Sequence, residues 1–141
     1  MASRSQADWS GLEAPSIADI EQLAASAFGR LPKSFRDKCQ GVVIKVAEFA
    51  EDDVLDELGT ESPFDLMGLF QGTGLAQGGG GPAAAQLPNM VFLYRRAILD
   101  YWAEHHETLG AIVTHVLVHE IGHHFGFSDR DMEQIVSGAA P

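Results

Sequence analysis

Two histidines four residues apart, with a glutamate directly after the first, stand in the C-terminal part of the chain as His119, Glu120 and His123. On a helix, such histidines share a face and lie about one turn, roughly 6 Å, from each other, so both imidazoles can reach one zinc ion at about 2 Å. Glu120 points about 100° round from His119, which brings its carboxylate close to a water on the metal without making it a ligand. Zinc lowers the pKa of such a water to about 7, and a neighbouring carboxylate can take its proton as the water attacks a carbonyl. That is the chemistry of peptide-bond hydrolysis in outline. A purely structural zinc site has no use for a base beside an open coordination position.

A third ligand is required, and Asp129, Asp131, Glu133, His115, His105 and His106 are the candidates. Gly126 stands where a helix should end, and a left-handed residue there would fold the chain back towards the metal just before Asp129 arrives. Asp129 is therefore the first choice and Glu133 the reserve. Asp129 also has a non-metal explanation, since Ser128 has the character of an N-cap and an acid in the first helical turn needs no ion. Asp131, three residues after Ser128, is explained by a capping box. His115, one turn before His119, reads as a core or groove histidine that could also act as a donor to the reacting group, and His124 points away from the ligand face. His105 and His106 suit the negative pole of a helix end. Tyr94 and Tyr101 could donate to a developing oxyanion, although each also reads as an amphipathic core residue.

The elements that must position these groups can be read from apolar spacing. Ser16 and Asp19 form a capping-box start for a helix over 16–29, and Pro32 suits the first turn of a short helix over 32–38. Residues 42–49, 66–70 and 90–94 read as strands, and 52–58 as a short helix closed by Gly59. Helices follow over 97–106, 107–125 and 129–137. The motif helix carries Leu109, Ile112, Val113, Val116, Leu117, Val118, Ile121 and Phe125, apolar nearly all round, so it should run through the core. Two imidazoles and a carboxylate on such a helix need partners, and a metal with its water would satisfy all three. Residues 1–14 read as a loose arm ahead of one domain over 15–141. The glycine-rich stretch from Gly72 to Gly81 reads as a surface loop, possible as a lid; no Lys-Ser or Lys-Thr follows it, so it is not a phosphate loop.

Composition bounds the partners. The 141 residues hold 9 Lys and Arg against 20 Asp and Glu, a formal charge of −11, with a pI of about 4.7 and mean hydropathy of −0.02. That profile fits one globular α/β domain and has the wrong sign for gripping a nucleic acid backbone. A single cysteine, Cys39, fits a reducing compartment, and Met1 to Gly11 lack the apolar run of a signal peptide. The longest apolar stretch, from Ala111 to Val118, is far short of the roughly 20 residues that span a bilayer. The expectation is a cytoplasmic protein that engages neither membrane nor nucleic acid.

From His119 to Asp129 the chain carries His-Glu-x-x-His-x-x-Gly-x-x-Asp, preceded by Val91-Phe92-Leu93-Tyr94-Arg95. With these residues it resembles the small bacterial zincin-like metallopeptidases over about 31–136. The resemblance implies a minimal zincin: a small mixed sheet packed on helices, the motif on a central helix, one zinc ion held by His119, His123 and Asp129, and Glu120 as general base. A peptide would add as a strand at a sheet edge, placed here near residues 90–94. The chain departs from metzincins, whose Met-turn lies well downstream, because Met132 follows Asp129 too closely for that role. It departs from the three-histidine zinc endoribonucleases in having Glu120 and Asp129. The alternative from a different class is a metal-binding or protein-interaction module that keeps the scaffold without turnover.

Overall fold

The computed structural model describes residues 8–72 and 88–139. In chain order its α-helices are α1 (Ile17–Arg30), α2 (Lys33–Lys38), α3 (Asp52–Leu58), α4 (Arg95–Glu104), α5 (Leu109–His124) and α6 (Asp129–Gly138), and its strands are β1 (Val43–Ala47), β2 (Gly68–Gln71) and β3 (Met90–Tyr94). This is the α/β architecture with a small mixed sheet that the sequence implies. Residues beyond Gly72 in the glycine-rich stretch lie outside the described residues, so the surface-loop and lid reading does too.

The sheet order is β1-β3-β2. β1 runs parallel to β3, with Ile44 opposite Val91, and β2 runs antiparallel to it, with Gly68 opposite Leu93. The central strand is therefore residues 90–94, which corrects the expectation that a peptide could add there: both edges of β3 already carry ladder hydrogen bonds. β2 is an edge strand among the described residues.

Val91 and Leu93, both 0% exposed, face the layer formed by α1 and α5. Phe92 and Tyr94 turn to the other face, where they meet Ala50, Leu55, Leu69 and Ala97. Successive strand residues point to opposite faces, which is how one five-residue strand serves two clusters. α1 begins as the sequence predicts, with Ser16 Oγ accepting from the Asp19 N–H at 3.1 Å and Asp19 Oδ2 accepting from the Ser16 N–H at 2.8 Å. Its Ile20, Ala24 and Ala27 are buried against α5 and the sheet.

α4 starts at Arg95, directly after β3, rather than at 97. Its partner α5 starts at Leu109 rather than 107, because Thr108 is the N-cap and its Oγ1 accepts from the Ala111 N–H at 3.1 Å. The chain ahead of α1 forms a 3-10 turn at Trp9–Gly11, and Trp9, Leu12 and Pro15 share a surface cavity with Leu99 and Trp102. No described helix is long and apolar enough to cross a membrane.

Candidate metal centre

The motif occupies the last two turns of α5. That helix buries Ile112, Val113, Thr114, Val116, Leu117, Val118, Ile121 and Gly122, and the buried Thr114 hydroxyl donates to the Gly110 carbonyl at 2.8 Å. A helix held on this many sides is a rigid mount for its exposed end. It stops where expected. Gly126 has φ +78°, the left-handed conformation that costs a residue without a Cβ nothing, and the Phe127 N–H donates to the Gly122 carbonyl at 2.9 Å. The chain then reverses into α6, whose Ser128 Oγ accepts from the Asp131 N–H at 3.1 Å while Asp131 reaches back to the Ser128 N–H. Asp131 is thus occupied by the capping box, while Asp129 in the same first turn makes no side-chain hydrogen bond among the described residues.

One ring nitrogen each from His119 and His123 and one carboxylate oxygen of Asp129 lie within 4.8 Å of one another. The two rings are tilted by 45°, with centroids 5.8 Å apart. Glu133, the reserve ligand, is outside that set; it is exposed one turn further along α6 and acts on His119 only as a nearby negative charge. His119 Nε2 is buried and has no hydrogen-bond partner among the described residues. A buried ring nitrogen left unpaired is costly, and an ion between these three donors would satisfy it. The donor set, two imidazoles and a carboxylate, is one that zinc accepts.

The electrostatics are compatible with metal binding. Burial, reinforced by the neighbouring His115 and His123, holds the His119 imidazole below its ordinary pKa against the pull of Asp129 and Glu133. A lowered pKa favours the neutral ring, the form that binds metal. Burial pushes the Glu120 carboxyl upward, with His123 opposing, so its carboxylate is a stronger base than one in water.

The remaining candidates have other occupations. His115 is exposed and its ring stacks on His119 with centroids 4.0 Å apart. His124 stacks on Phe70 of β2 at 3.9 Å, away from the ligands. His105 caps the end of α4, its Nδ1 2.7 Å from the Tyr101 carbonyl oxygen. Tyr94 is 4% exposed, and burial, with the negative charges of Glu51 and Glu120, pushes its hydroxyl up to about 12. The Tyr101 hydroxyl donates to Glu107 Oε2 at 3.0 Å.

Three positioning residues escape sequence reasoning. A Cβ at Gly68 would stand 2.7 Å from Val116 Cγ1 and 3.1 Å from Glu120 Cγ, so glycine lets β2 lie directly on the motif helix. A Cβ at Gly122 would meet Met132 Sδ at 2.5 Å. Met132, 0% exposed, packs α6 against the turn between the two motif histidines and so fixes where Asp129 arrives. A glycine inside a strongly apolar helix was the available signal for that close approach.

A mixed sheet laid on a helix that presents two histidines, with an acid returned to them by the next helix, is an arrangement that could hold a metal ion. The chain belongs to the zincin-like metallopeptidase family, whose model matches residues 39–139. The family implies zinc as the cofactor and points to peptide hydrolysis. No curated protein matches the chain.

Proposed function

We propose that this protein is a zinc-dependent metallopeptidase in which His119, His123 and Asp129 hold the metal and Glu120 is the general base. The observation that carries the reading is the buried, unpartnered His119 Nε2 within a three-donor set. When bound, zinc supplies a Lewis acid that polarises the scissile carbonyl and acidifies water. Glu120 takes a proton from the attacking water and returns it to the leaving amine, the two duties of one general acid-base group. Burial, by raising its pKa, strengthens it for the first duty.

The substrate is a peptide in extended form, bound along β2. Its outer edge, unpaired among the described residues, offers main-chain donors and acceptors, and its inner face lies on Val116 and Glu120 through Gly68. Main-chain pairing there would present a carbonyl beside the carboxylate. The net charge of −11 speaks against nucleic acid as a partner. A cytoplasmic location is part of the reading, supported by the buried, unpaired Cys39.

The test is metal analysis of protein purified without added zinc or chelator, then digestion of a peptide library by the parent and by Glu120→Gln. The expectation is one zinc per chain in both and turnover lower by about 10²- to 10⁴-fold in the variant. Equal hydrolysis by both refutes Glu120 as base. Stoichiometric zinc with no hydrolysis by the parent favours a metal-binding module without turnover.

A further inference from the structure

A small cavity of about 80 Å³ opens beside the ligand cluster, lined by Met67, Tyr101, Glu107, Ile112, His115 and Val116. Met67 leads directly into β2, and Val116 is the side chain on which Gly68 of that strand rests. His115 forms another wall, its ring stacked on His119. The cavity thus lies between the start of the strand edge and a metal ligand. Alternate side chains of a paired peptide point towards the helix beneath it, and one of them would fall here.

The lining has a direction. Met67, Ile112 and Val116 make an apolar floor, and Glu107, which is exposed, brings a carboxylate to the mouth. Its Oε2 accepts from the Tyr101 hydroxyl, which fixes the carboxylate in place, and among the described residues it forms no salt bridge. The cavity has room for the stem of a side chain, and a charge carried at the end of that stem would meet Glu107 at the mouth. Lysine and arginine are built that way, with an apolar stem and a charged head kept near solvent.

We propose that this cavity is a specificity subsite for a lysine or arginine side chain of the peptide, with Glu107, held by Tyr101, receiving the cation. The inference rests on the reading of the centre as a peptidase cleft, and it assigns that cleft basic peptides as substrate.

Binding to zinc-loaded Glu120→Gln protein reads the subsite without turnover. The probes are N-acetylated, C-amidated nonapeptides of alanine and glycine, labelled for fluorescence anisotropy, with lysine, norleucine or glutamate as the central residue. Norleucine carries the stem without the charge. Lysine is expected to bind roughly fivefold tighter than norleucine, the scale of a solvent-accessible ion pair, and glutamate weakest. Glu107→Gln should erase the lysine advantage, Glu107→Lys should invert it, and Tyr101→Phe should reduce it, all with zinc content and Tm unchanged. No lysine preference, or one indifferent to residue 107, overturns the proposal. So does a preference that, when the same peptides are prepared without the acetyl group, follows the free α-amino group regardless of the central residue. Cleavage is scored separately with protein retaining Glu120: a Glu107-dependent lysine preference without cleavage keeps the subsite and refutes the peptidase, and cleavage without that dependence does the reverse.

Discussion

Replacing Gly68 by alanine tests whether the contact between β2 and α5 sets the position of the general base. The new Cβ would stand 2.7 Å from Val116 Cγ1, 3.1 Å from Glu120 Cγ and 3.1 Å from the Phe92 carbonyl oxygen. Non-bonded carbons rest about 3.5–4.0 Å apart, so relief needs a movement of about 1 Å. Phe92 is backbone of the central strand and Val116 is 4% exposed, which leaves two ways to yield: β2 lifts from the helix, or Glu120 turns aside. Overpacking of this kind costs about 1–3 kcal/mol, and in a domain of this size it lowers Tm by about 3–12 °C. A base misplaced by about 1 Å loses on the order of 10²-fold in rate.

None of the atoms that this Cβ meets first belongs to a ligand, so zinc affinity should hold while turnover falls. Scanning fluorimetry, zinc titration against a chromophoric chelator and peptide digestion separate the three quantities. Turnover and Tm equal to the parent would refute the contact as a positioning device. Zinc affinity falling in step with turnover would show that the strand supports the ligands instead.

Asp129→Ala should weaken zinc binding strongly, whereas Asp131→Ala should keep it and lose a cap worth about 1 kcal/mol; calorimetric zinc titration showing the reverse ranking would reject Asp129 as ligand. Gly122→Ala forces Met132 away, since its Sδ lies 2.5 Å from the new Cβ. The gain of about 1 kcal/mol in helix propensity should leave stability little changed, while zinc affinity drops as α6 carries Asp129 out of place; unchanged affinity would sink that account. Burial pushes the Cys39 thiol from 9.0 to about 11 and Tyr94 up to about 12. Both pKa values are raised by folding, so the stability they supply is present below the unfolded values and lost as pH rises through the folded ones. Tm should therefore fall between about pH 9 and 12, less steeply in Tyr94→Phe, and a Tm that rises over that range would contradict the burial argument. Folded protein should leave Cys39 unreactive to maleimide at pH 8.

Much of the centre was legible because its parts are local. The spacing of His119 and His123, the cap at Ser128 and the left-handed Gly126 are each decided within one or two helical turns, and the structure repeats them. α5 starts two residues later than the sequence suggests because Glu107 and Thr108 both suit a first turn, and the Thr108 hydroxyl bond to Ala111 decides between them. Met132 follows Asp129 by only three residues, and that spacing says nothing of its packing. Its role depends on distance in space, on the tight turn that lays α6 across Gly122.

The placement of the peptide shows the same limit and a clue that was available. Residues 90–94 read correctly as a strand, while the edge placement fails because strand order is a tertiary property. Met90, Val91, Phe92, Leu93 and Tyr94 include no charged residue, and a strand apolar on both faces is covered on both. β1 carries an exposed Lys45, and β2 carries Gly68 and ends on an exposed Gln71, polar interruptions that suit an edge. Moving the substrate from β3 to β2 alters the chemistry. β3 is separated from open edge by a neighbour on each side, whereas β2 rests on Val116 and Glu120 and is entered through Met67, the residue that begins the acidic-mouthed cavity. One glycine therefore brings the strand that would align a peptide and the carboxylate that would activate water to within contact distance, and Val116, the other side chain that this glycine meets, also lines the cavity that Met67 enters.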